Sequence, residues 1–288
     1  MSIDRRAAAD FIWSAARLVD RHRYGVLFAD GPAGPVVEAL RGYRNPDGGF
    51  GHALEPDLRC PASQPAPTLY ALEVLDEVDA AEGELARGAR GWIARIAERD
   101  GGIPSALPGF ERYPHAPWFR HEPGSVLTFG LAATLHASGV TDDAWLARAT
   151  SWCWRSIETM ERPGAYWLKY ACAFLDAVPD DQRARAAIAS LAARFDISVI
   201  APVGGVEGEA LRPLDLSPRP HSRSRGLFSE DQIEAHLDAV ESEQQQDGGW
   251  MFDWLAWSPA QTTDWRGYVT IRALTWLRDN GRLLTRRS

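Results

Sequence analysis

The chain has 288 residues, a formal net charge of −8, and 45% hydrophobic against 24% charged residues. These proportions are typical of a folded globular protein rather than a disordered or fibrous one, and the acidic balance argues against nucleic acid or anionic lipid as a partner. No apolar run reaches the roughly 18 residues of a membrane span and the first residues do not resemble a secretory signal, so we expect a cytoplasmic protein without integral membrane insertion.

Apolar residues recur with helical spacing along most of the chain, and no segment has a convincing strand pattern. The stretch 200–228 is rich in Gly and Pro and is predicted to be a long internal loop. We expect one domain over residues 1–288. The predicted helices lie at roughly 4–27, 34–44, 66–80, 83–98, 124–138, 142–160, 165–178, 180–195, 229–245 and 262–280.

The predicted helices differ in polarity. Four of them are mostly apolar, which is typical of helices surrounded by neighbours: 66–80, 124–138, 165–178 and 262–280. The helices at 83–98 and 180–195 instead carry Arg and acidic residues on one face. This contrast predicts an inner and an outer ring of helices.

An Asp-Gly-Gly turn follows a predicted helix at 47–49, 100–102 and 247–249, and a degenerate version occurs near 162. Glycine after a helix permits a left-handed cap, while the aspartate bonds turn amides. An aromatic or apolar residue comes next and is expected to pack into the next helix pair. Repetition of this unit predicts an array of helical hairpins.

The segment 244–250 (QQQDGGW) resembles the QW motif of squalene–hopene cyclases and other toroid cyclases, and the turns before Phe50 and Ile103 are weaker copies. The resemblance implies an all-α protein, an α/α toroid of about five to six helix pairs with an aromatic-lined central cavity. Protein prenyltransferase β-subunits, sugar-active enzymes and complement-type binding domains use the same scaffold, so fold alone does not give the function.

Two motifs of these families are absent. The DxDD acid motif of class II cyclases is missing, and the pairs at 142–143 and 180–181 are interpreted as helix caps. The prenyltransferase zinc site needs a DxC pair, whereas Asp57 and Cys60 are three residues apart. A bifunctional cyclase would also need a second toroid. We expect no metal, no nucleotide or other cofactor, and reduced cysteines.

The first candidate segment lies between the 47–49 turn and the next helix. His52, Glu55 and Asp57 stand close to Arg59 and Cys60. Paired carboxyls in a confined pocket can divide acid and base roles, with the imidazole relaying a proton. We therefore predict catalytic roles for His52, Glu55 and Asp57. In the alternative interpretation, the carboxylates neutralise Arg59 and cap turns or helices.

The second segment, 113–122, combines aromatic residues and prolines with an ionisable pair. Trp118 and His121 are predicted to bind substrate at the cavity mouth. Glu122 is alternatively explained by the favourable effect of a helix N-terminus on an acidic side chain.

The third segment places Tyr166, Lys169 and Tyr170 on one face of an apolar helix. A lysine there requires an anion. That anion is either a carboxylate or phosphate of the substrate, for which we predict binding roles of Tyr166 and Lys169, or an internal carboxylate such as Asp57 or Asp253.

The fourth segment, 250–268, surrounds two aspartates with aromatic rings. Asp253 and Asp264 are predicted to be catalytic, and Trp254, Trp257 and Trp265 to bind substrate, because such rings hold a cation or stack on sugars. Alternatively, the aromatic residues brace neighbouring repeats.

Together these features favour an enzyme that acts on an isoprenoid or other apolar small molecule by acid–base isomerisation, cyclisation or dehydration. Two alternatives remain at this stage. One is a carbohydrate-active barrel with two carboxylates across a glycosidic bond, and the other is a non-catalytic binding or scaffold protein. The oligomeric state is left open.

Overall fold

The structure, a computed structural model, describes residues 3–197 and 209–283. Within these ranges the regular structure is helical apart from two isolated β-bridges, and no helix is long and apolar enough to cross a membrane. Short 3-10 segments occur at Phe110–Arg112 and Arg223–Leu227. The α-helices are Arg5–Ala15 (α1), Leu18–Phe28 (α2), Gly34–Arg41 (α3), Pro65–Glu77 (α4), Glu84–Ile96 (α5), Leu127–Ala137 (α6), Ala144–Thr159 (α7), Ala165–Ala177 (α8), Asp181–Arg194 (α9), Pro213–Leu216 (α10), Glu230–Ser242 (α11) and Pro259–Asp279 (α12).

The described helices form two concentric rings. Each inner helix packs against one outer helix, giving the pairs α2–α3, α4–α5, α6–α7, α8–α9, α10–α11 and α12–α1. α6 lies between α4 and α8 and is apolar on nearly every side, whereas α5 and α7 bury one face only. The main hydrophobic core fills the space between the rings. The predicted α/α toroid is confirmed.

The three Asp-Gly-Gly turns have the same local structure. In each, the aspartate Oδ1 accepts the N–H of the second glycine, and the residue after the turn donates its N–H to a buried threonine of the next inner helix. These donor–acceptor pairs are Phe50 N to Thr68 Oγ1 at 3.1 Å, Ile103 N to Thr128 Oγ1 at 2.8 Å, and Trp250 N to Thr270 Oγ1 at 3.0 Å.

The first glycine of each turn is required by both conformation and space. Gly248 has φ of +90°, and a Cβ there would lie 2.1 Å from the carbonyl oxygen of Ala7 in α1. Gly48 similarly has φ of +93° and faces the carbonyl oxygen of Gly88 in α5. Only glycine combines this left-handed backbone with so close an approach. Each turn thereby packs closely against the outer helix of the helix pair that follows it.

Two predictions about the elements need correction, and the degenerate turn differs in one detail from the other turns. The helix expected over 4–27 is two helices, because the chain becomes extended at Ala16 and Arg17, where Arg21 Nε bonds the free Ala16 carbonyl at 2.8 Å. The degenerate turn near 162 leads directly into α8, whose sequence offers no threonine for the repeated contact. The predicted loop 200–228 lies partly outside the described residues, and its remainder contains α10 and a 3-10 segment.

Candidate functional site

The inner helices project ionisable side chains into a common internal space. Glu73 of α4 and Lys169 of α8 both keep accessible surface. Burial nevertheless raises the pKa of Glu73 to about 7 and lowers the pKa of Lys169. We infer from this combination that the two side chains face a space inside the ring of helices rather than the outer surface. We call this space the central chamber.

Glu73 and Lys169 influence each other electrostatically without forming an ion pair. The charge of Lys169 partly opposes the effect of burial on the pKa of Glu73. No carboxylate of the described residues lies within 4.0 Å of the Lys169 ammonium, which instead lies 5.8 Å from the ring centres of both Tyr166 and Tyr170. The internal partners expected for Lys169, Asp57 and Asp253, do not form that pair.

Tyrosines form much of the wall of the central chamber. Burial, reinforced by the nearby carboxylate of Glu73, raises the pKa of Tyr170, and it raises the pKa of Tyr268 to about 12. Tyr170 packs closely on α6, because Gly130 has no side chain: a Cβ there would lie 3.0 Å from the Tyr170 ring. Tyr268 stacks edge-on against Trp265 at 5.3 Å. The wall is therefore aromatic, with its hydroxyl groups un-ionised at neutral pH.

Glu55 reaches the central chamber from the segment that follows the first turn. The backbone bends sharply there, with positive φ at His52 and Ala53, and Arg17 Nη1 holds the Leu54 carbonyl at 2.8 Å. Burial, reinforced by the charge of Asp57, raises the pKa of Glu55 well above its usual value. Its Oε2 is buried without a hydrogen-bond partner among the described residues. A neutral carboxylic acid fits this environment better than a carboxylate.

Asp57 joins this segment to the start of α12. Its Oδ1 accepts hydrogen bonds from Gln261 Nε2 at 2.8 Å, Trp265 Nε1 at 2.9 Å and Trp257 Nε1 at 3.1 Å. Burial raises the pKa of Asp57, while the three donors act in the opposite direction. The predicted substrate-binding tryptophans Trp257 and Trp265 thus contact a predicted catalytic carboxylate, in an arrangement that fixes the mouth of the chamber.

The other residues of the first segment are separated from this pair. His52 is exposed, and its Nε2 lies 3.1 Å from Asn45 Oδ1 rather than beside Glu55 or Asp57. The alternative interpretation holds in part: the backbone N–H groups of Asp57 and Leu58 bond the Glu55 carboxyl, but neither Glu55 nor Asp57 pairs with Arg59. Arg59 Nη1 instead contacts Asp264 Oδ2 at 2.6 Å, so this predicted catalytic aspartate is held in an ion pair.

Trp118 and His121 lie on the outer side of the mouth. Trp118 is 37% exposed, and His121 Nδ1 lies 3.0 Å from the carbonyl oxygen of Ala106. The segment 113–122, to which they belong, packs on the segment that carries Glu55 and Asp57, since the Ala116 N–H donates to the Asp57 carbonyl oxygen at 2.8 Å. The structure therefore brings them near Asp57 through the backbone, while the side chains remain outside the central chamber.

Asp253 lies at a cleft of about 190 Å³ between α10, α11 and α12. We call this space the side cleft. Its charged lining residues include Arg212, Asp215, Asp253 and Arg272. Burial and the neighbouring charge of Asp215 raise the pKa of Asp253. The charges of Arg272, Asp215 and Asp253 all affect the pKa of Lys169, so the side cleft and the central chamber are adjacent.

A buried network of charges joins α2 to α4. Asp20 is fully buried and contacts Arg17 at 2.8 Å and Arg23 at 3.0 Å, while Arg23 Nε reaches Glu77 at 2.7 Å and Tyr70 hydroxyl bonds Asp20 at 3.1 Å. Sequence reasoning missed these residues because charges on an amphipathic helix normally face solvent. Each charge is paired within the protein, as buried charges require.

Glu73 was also missed, although one signal for it exists. Like Lys169, it is a charge with apolar residues on both sides of it in an inner helix, and the other acidic residues of α4, Asp76 and Glu77, stand at the end of that helix. No group of three or more His, Cys, Asp or Glu among the described residues is arranged to hold a metal ion. The three cysteines are buried and unpaired.

No protein-family model matches the chain, and no curated protein matches it in sequence. Solved structures are similar in fold. One, of a protein from Actinoplanes, has a TM-score of 0.58 at 16% identity, covering 96% of this chain and 98% of that one. The type II terpene cyclase MstE from Scytonema, without ligand, has a TM-score of 0.53 at 16% identity with the same coverage. A variant of MstE bound to geranylgeranyl dihydroxybenzoate has a TM-score of 0.54 at 15% identity, covering 96% and 97%.

At this low identity the similarities show that the chain shares its α/α toroid fold with these proteins. Because the Scytonema cyclase is matched over 98% of its chain, one toroid is enough to build that type II cyclase. The expectation about a second toroid concerned a bifunctional cyclase and stays a prediction.

Proposed function

We propose that the chain is an enzyme that binds an isoprenoid or similarly apolar small molecule in the central chamber and isomerises or cyclises it by proton transfer. The observation that carries the proposal is the pair of carboxyl groups, Glu55 and Glu73, whose pKa values are both raised by burial beside tyrosine walls. Carboxyl groups of unequal pKa in one pocket are suited to separate acid and base roles.

Glu55 is the acid in this proposal. Burial raises its pKa well above the usual value, which favours the protonated carboxyl that an acid requires. Transfer of that proton to one carbon of an alkene leaves a carbocation on the other carbon. Asp57, fixed by its three N–H donors, stays close enough for its charge to act on Glu55. Arg17 keeps the Glu55 backbone in place through the Leu54 carbonyl.

The walls suit a cationic intermediate. The rings of Tyr166, Tyr170, Tyr268 and Trp265 line or adjoin the space in which Glu73 and Lys169 meet. Aromatic faces attract a cation by about 0.5–2 kcal/mol each, and more when water is absent.

Glu73 is the base that completes the reaction. With a pKa of about 7, a large fraction of its carboxyl is ionised at neutral pH. It removes a proton from a carbon next to the cation, and the product alkene forms. One proton is donated and one is removed, so substrate and product are isomers. Solvent exchange returns both carboxyls to their starting states.

The Scytonema neighbour supports the choice of substrate class. That cyclase is a type II terpene cyclase, and a variant of it binds a geranylgeranyl-bearing substrate in the same fold. The two chains are only 15% identical. The neighbour therefore supports the isoprenoid class, and the residues assigned here rest on the geometry of this chain alone.

The decisive experiment is turnover of linear prenyl compounds in D₂O, with products analysed by mass spectrometry. We expect an isomer of the substrate that carries one deuterium at a former alkene carbon. Glu55→Gln should lower the rate by at least about 100-fold and Glu73→Gln by about 10- to 100-fold, as for loss of a general acid or base. The exposed Glu161→Gln is the matched control and should retain full activity. Isomerisation without deuterium incorporation, or full activity of Glu55→Gln, would refute the proposed mechanism.

A further inference from the structure

Arg272 projects from α12 at the boundary between the side cleft and the central chamber. Its side chain is 23% exposed, and its closest carboxylate, Asp215 Oδ1, is 3.6 Å away, too far for a hydrogen bond. Its Nε is buried without a partner among the described residues. The ring centres of Trp276 and Trp254 lie 4.7 Å and 5.7 Å from the guanidinium carbon. Stacking covers the faces of the guanidinium, and Nε, one of its in-plane donors, is left without an acceptor.

A second buried hydrogen-bond donor nearby also lacks an acceptor. The indole Nε1 of Trp254 is buried without a partner among the described residues. Buried donors are almost always bonded, so two unpaired donors from adjacent residues indicate that an acceptor belongs between them. An unpaired donor left in that state costs about 1–3 kcal/mol.

Lys169 adds a second positive charge. After burial, the charge of Arg272 is the strongest influence that lowers the pKa of Lys169. The two like charges therefore lie in one neighbourhood, where Arg272 has a single, loose ion pair with Asp215 at 3.6 Å and Lys169 has no carboxylate within 4.0 Å among the described residues. Proteins hold such a pair when an anion completes the site.

We propose that Arg272 and Lys169 bind the anionic group, a carboxylate or a phosphate, of the molecule whose apolar part occupies the central chamber. This inference rests on the proposed function and narrows its substrate class to anionic amphiphiles. Trp254 Nε1 supplies a further hydrogen bond to the anion. The head group reaches the site through the side cleft, where Trp250 and Phe252 provide apolar walls.

The carboxylates around the side cleft are compatible with this assignment. Glu243 is held by Arg212 at 2.7 Å, and Asp215 accepts the Arg212 backbone N–H at 2.9 Å. Asp253 has no Arg or Lys nitrogen within 4.0 Å among the described residues, and its charge opposes the incoming anion. Removing the charge of Asp253 should therefore strengthen anion binding, whereas a ligand with a cationic group would bind more weakly to the same variant.

Binding is measured by calorimetry with pairs of probes that differ in charge alone. One pair is a geranylgeranylated benzoic acid and its methyl ester, and the other is geranylgeranyl diphosphate and geranylgeraniol. We expect one acidic probe to bind about 10- to 100-fold more tightly than its neutral partner, because hydrogen bonds to charged groups are worth this much. The pair with the larger ratio identifies carboxylate or phosphate as the natural anion.

Variants test whether Arg272 and Lys169 cause the preference for the acidic probes. Arg272→Gln and Lys169→Met should each reduce the acid-to-neutral ratio to near one, with Arg272→Lys retaining part of it. Asp253→Asn, at an exposed position, should raise the ratio by about 3- to 10-fold, as expected for removal of a like charge. Inorganic phosphate, measured at matched ionic strength, tests whether an anion binds without a prenyl tail. If its affinity equalled that of the prenylated acid, the claim that one ligand occupies both the side cleft and the central chamber would be overturned.

Equal affinities of the acidic and neutral probes for the wild-type protein would overturn the proposal, as would weaker anion binding by Asp253→Asn. Neither result depends on whether Arg272→Gln folds. These experiments measure binding and not turnover, so failure of the anion site can be distinguished from failure of the proposed function. A protein that isomerises a neutral prenyl alcohol and shows no preference for acidic probes would support the proposed function and contradict the anion site.

Discussion

Asp4 and Gln244 are 240 residues apart in sequence and are joined by two hydrogen bonds. The Asp4 N–H donates to Gln244 Oε1 at 2.8 Å, and Gln244 Nε2 donates to the Asp4 carbonyl oxygen at 2.9 Å. Gln244 Nε2 also reaches the carbonyl oxygen of Gly248 in the last turn. One side chain therefore ties the start of α1 to the final Asp-Gly-Gly turn and closes the ring.

Gln244→Ala should destabilise the protein by about 1–2 kcal/mol, since it removes hydrogen bonds at the ring closure. Denaturant unfolding of the two proteins measures the change. Gln246→Ala, two residues away and exposed, is the control and should stay within about 0.5 kcal/mol of the wild type. Equal stability of all three proteins would show that this closure contributes nothing to the fold.

Gly248→Ala and Gly109→Ala separate backbone strain from packing. Both glycines have positive φ, +90° and +97°, but a Cβ at Gly109 meets no atom within 4 Å, whereas one at Gly248 meets Ala7 of α1. We expect about 1–2 kcal/mol of destabilisation for Gly109→Ala from strain alone and about 1–3 kcal/mol more for Gly248→Ala from the clash. Thermal and denaturant unfolding provide the comparison. Similar losses in both variants would contradict the seating of the last turn on α1.

Glu73→Gln should change how stability depends on pH. The folded-state pKa of about 7 exceeds the usual 4.5, so the folded protein binds the proton more tightly than the unfolded chain does. The wild type therefore loses stability as pH rises from about 4.5 to 7. Because the side chain is accessible to water, we expect a loss of about 1–2 kcal/mol rather than the full value of the shift.

The Gln variant lacks this ionisation, so it should match the wild type near pH 4.5 and exceed its stability at pH 8. Unfolding free energies at the two pH values measure the difference. Glu161→Gln, at an exposed position, should follow the wild type at both pH values. A Glu73→Gln variant that is no more stable at pH 8 would show that Glu73 is freely solvated, outside a desolvating chamber.

Asp57→Ala should destabilise the protein by about 2–4 kcal/mol, because several buried N–H donors lose their common acceptor. Asp57→Asn keeps one acceptor oxygen and should lose less. Near-ultraviolet circular dichroism should show both changes, since Trp257 and Trp265 are two of the donors. If the Ala variant retained wild-type stability and spectrum, Asp57 would have no part in holding α12.

The fold was largely predictable because its repeated unit is local. The bonds from Asp47 to Gly49 and from Asp247 to Gly249 span two residues each, so the sequence of the turn contains everything that the turn needs. The break at Ala16 was not predictable. It depends on the hydrogen bonds from Arg17 to Leu54 and Tyr70. The periodicity of apolar residues in a helix gives no information about such distant contacts.

The candidate site was predictable in part. Lys169 was recognised because a charge among apolar neighbours in an inner helix must find a partner, and the same reasoning applies to Glu73. The ion pair of Asp264 was not predictable, since its partner Arg59 is 205 residues away in sequence. His52 stands three residues from Glu55 in sequence, yet positive φ values at His52 and Ala53 accompany its turn toward Asn45.

By itself, the sequence determined the helices, their polarity and the glycine turns, because these follow from hydrogen bonds and apolar spacing within a few residues. Only the tertiary structure decided which charges meet. Closure of the ring brings Asp57 to Trp265, 208 residues away, and places Lys169 near Arg272. Burial in that interior then raises or lowers each pKa. Desolvation depends on every surrounding helix, so no single segment of sequence contains it.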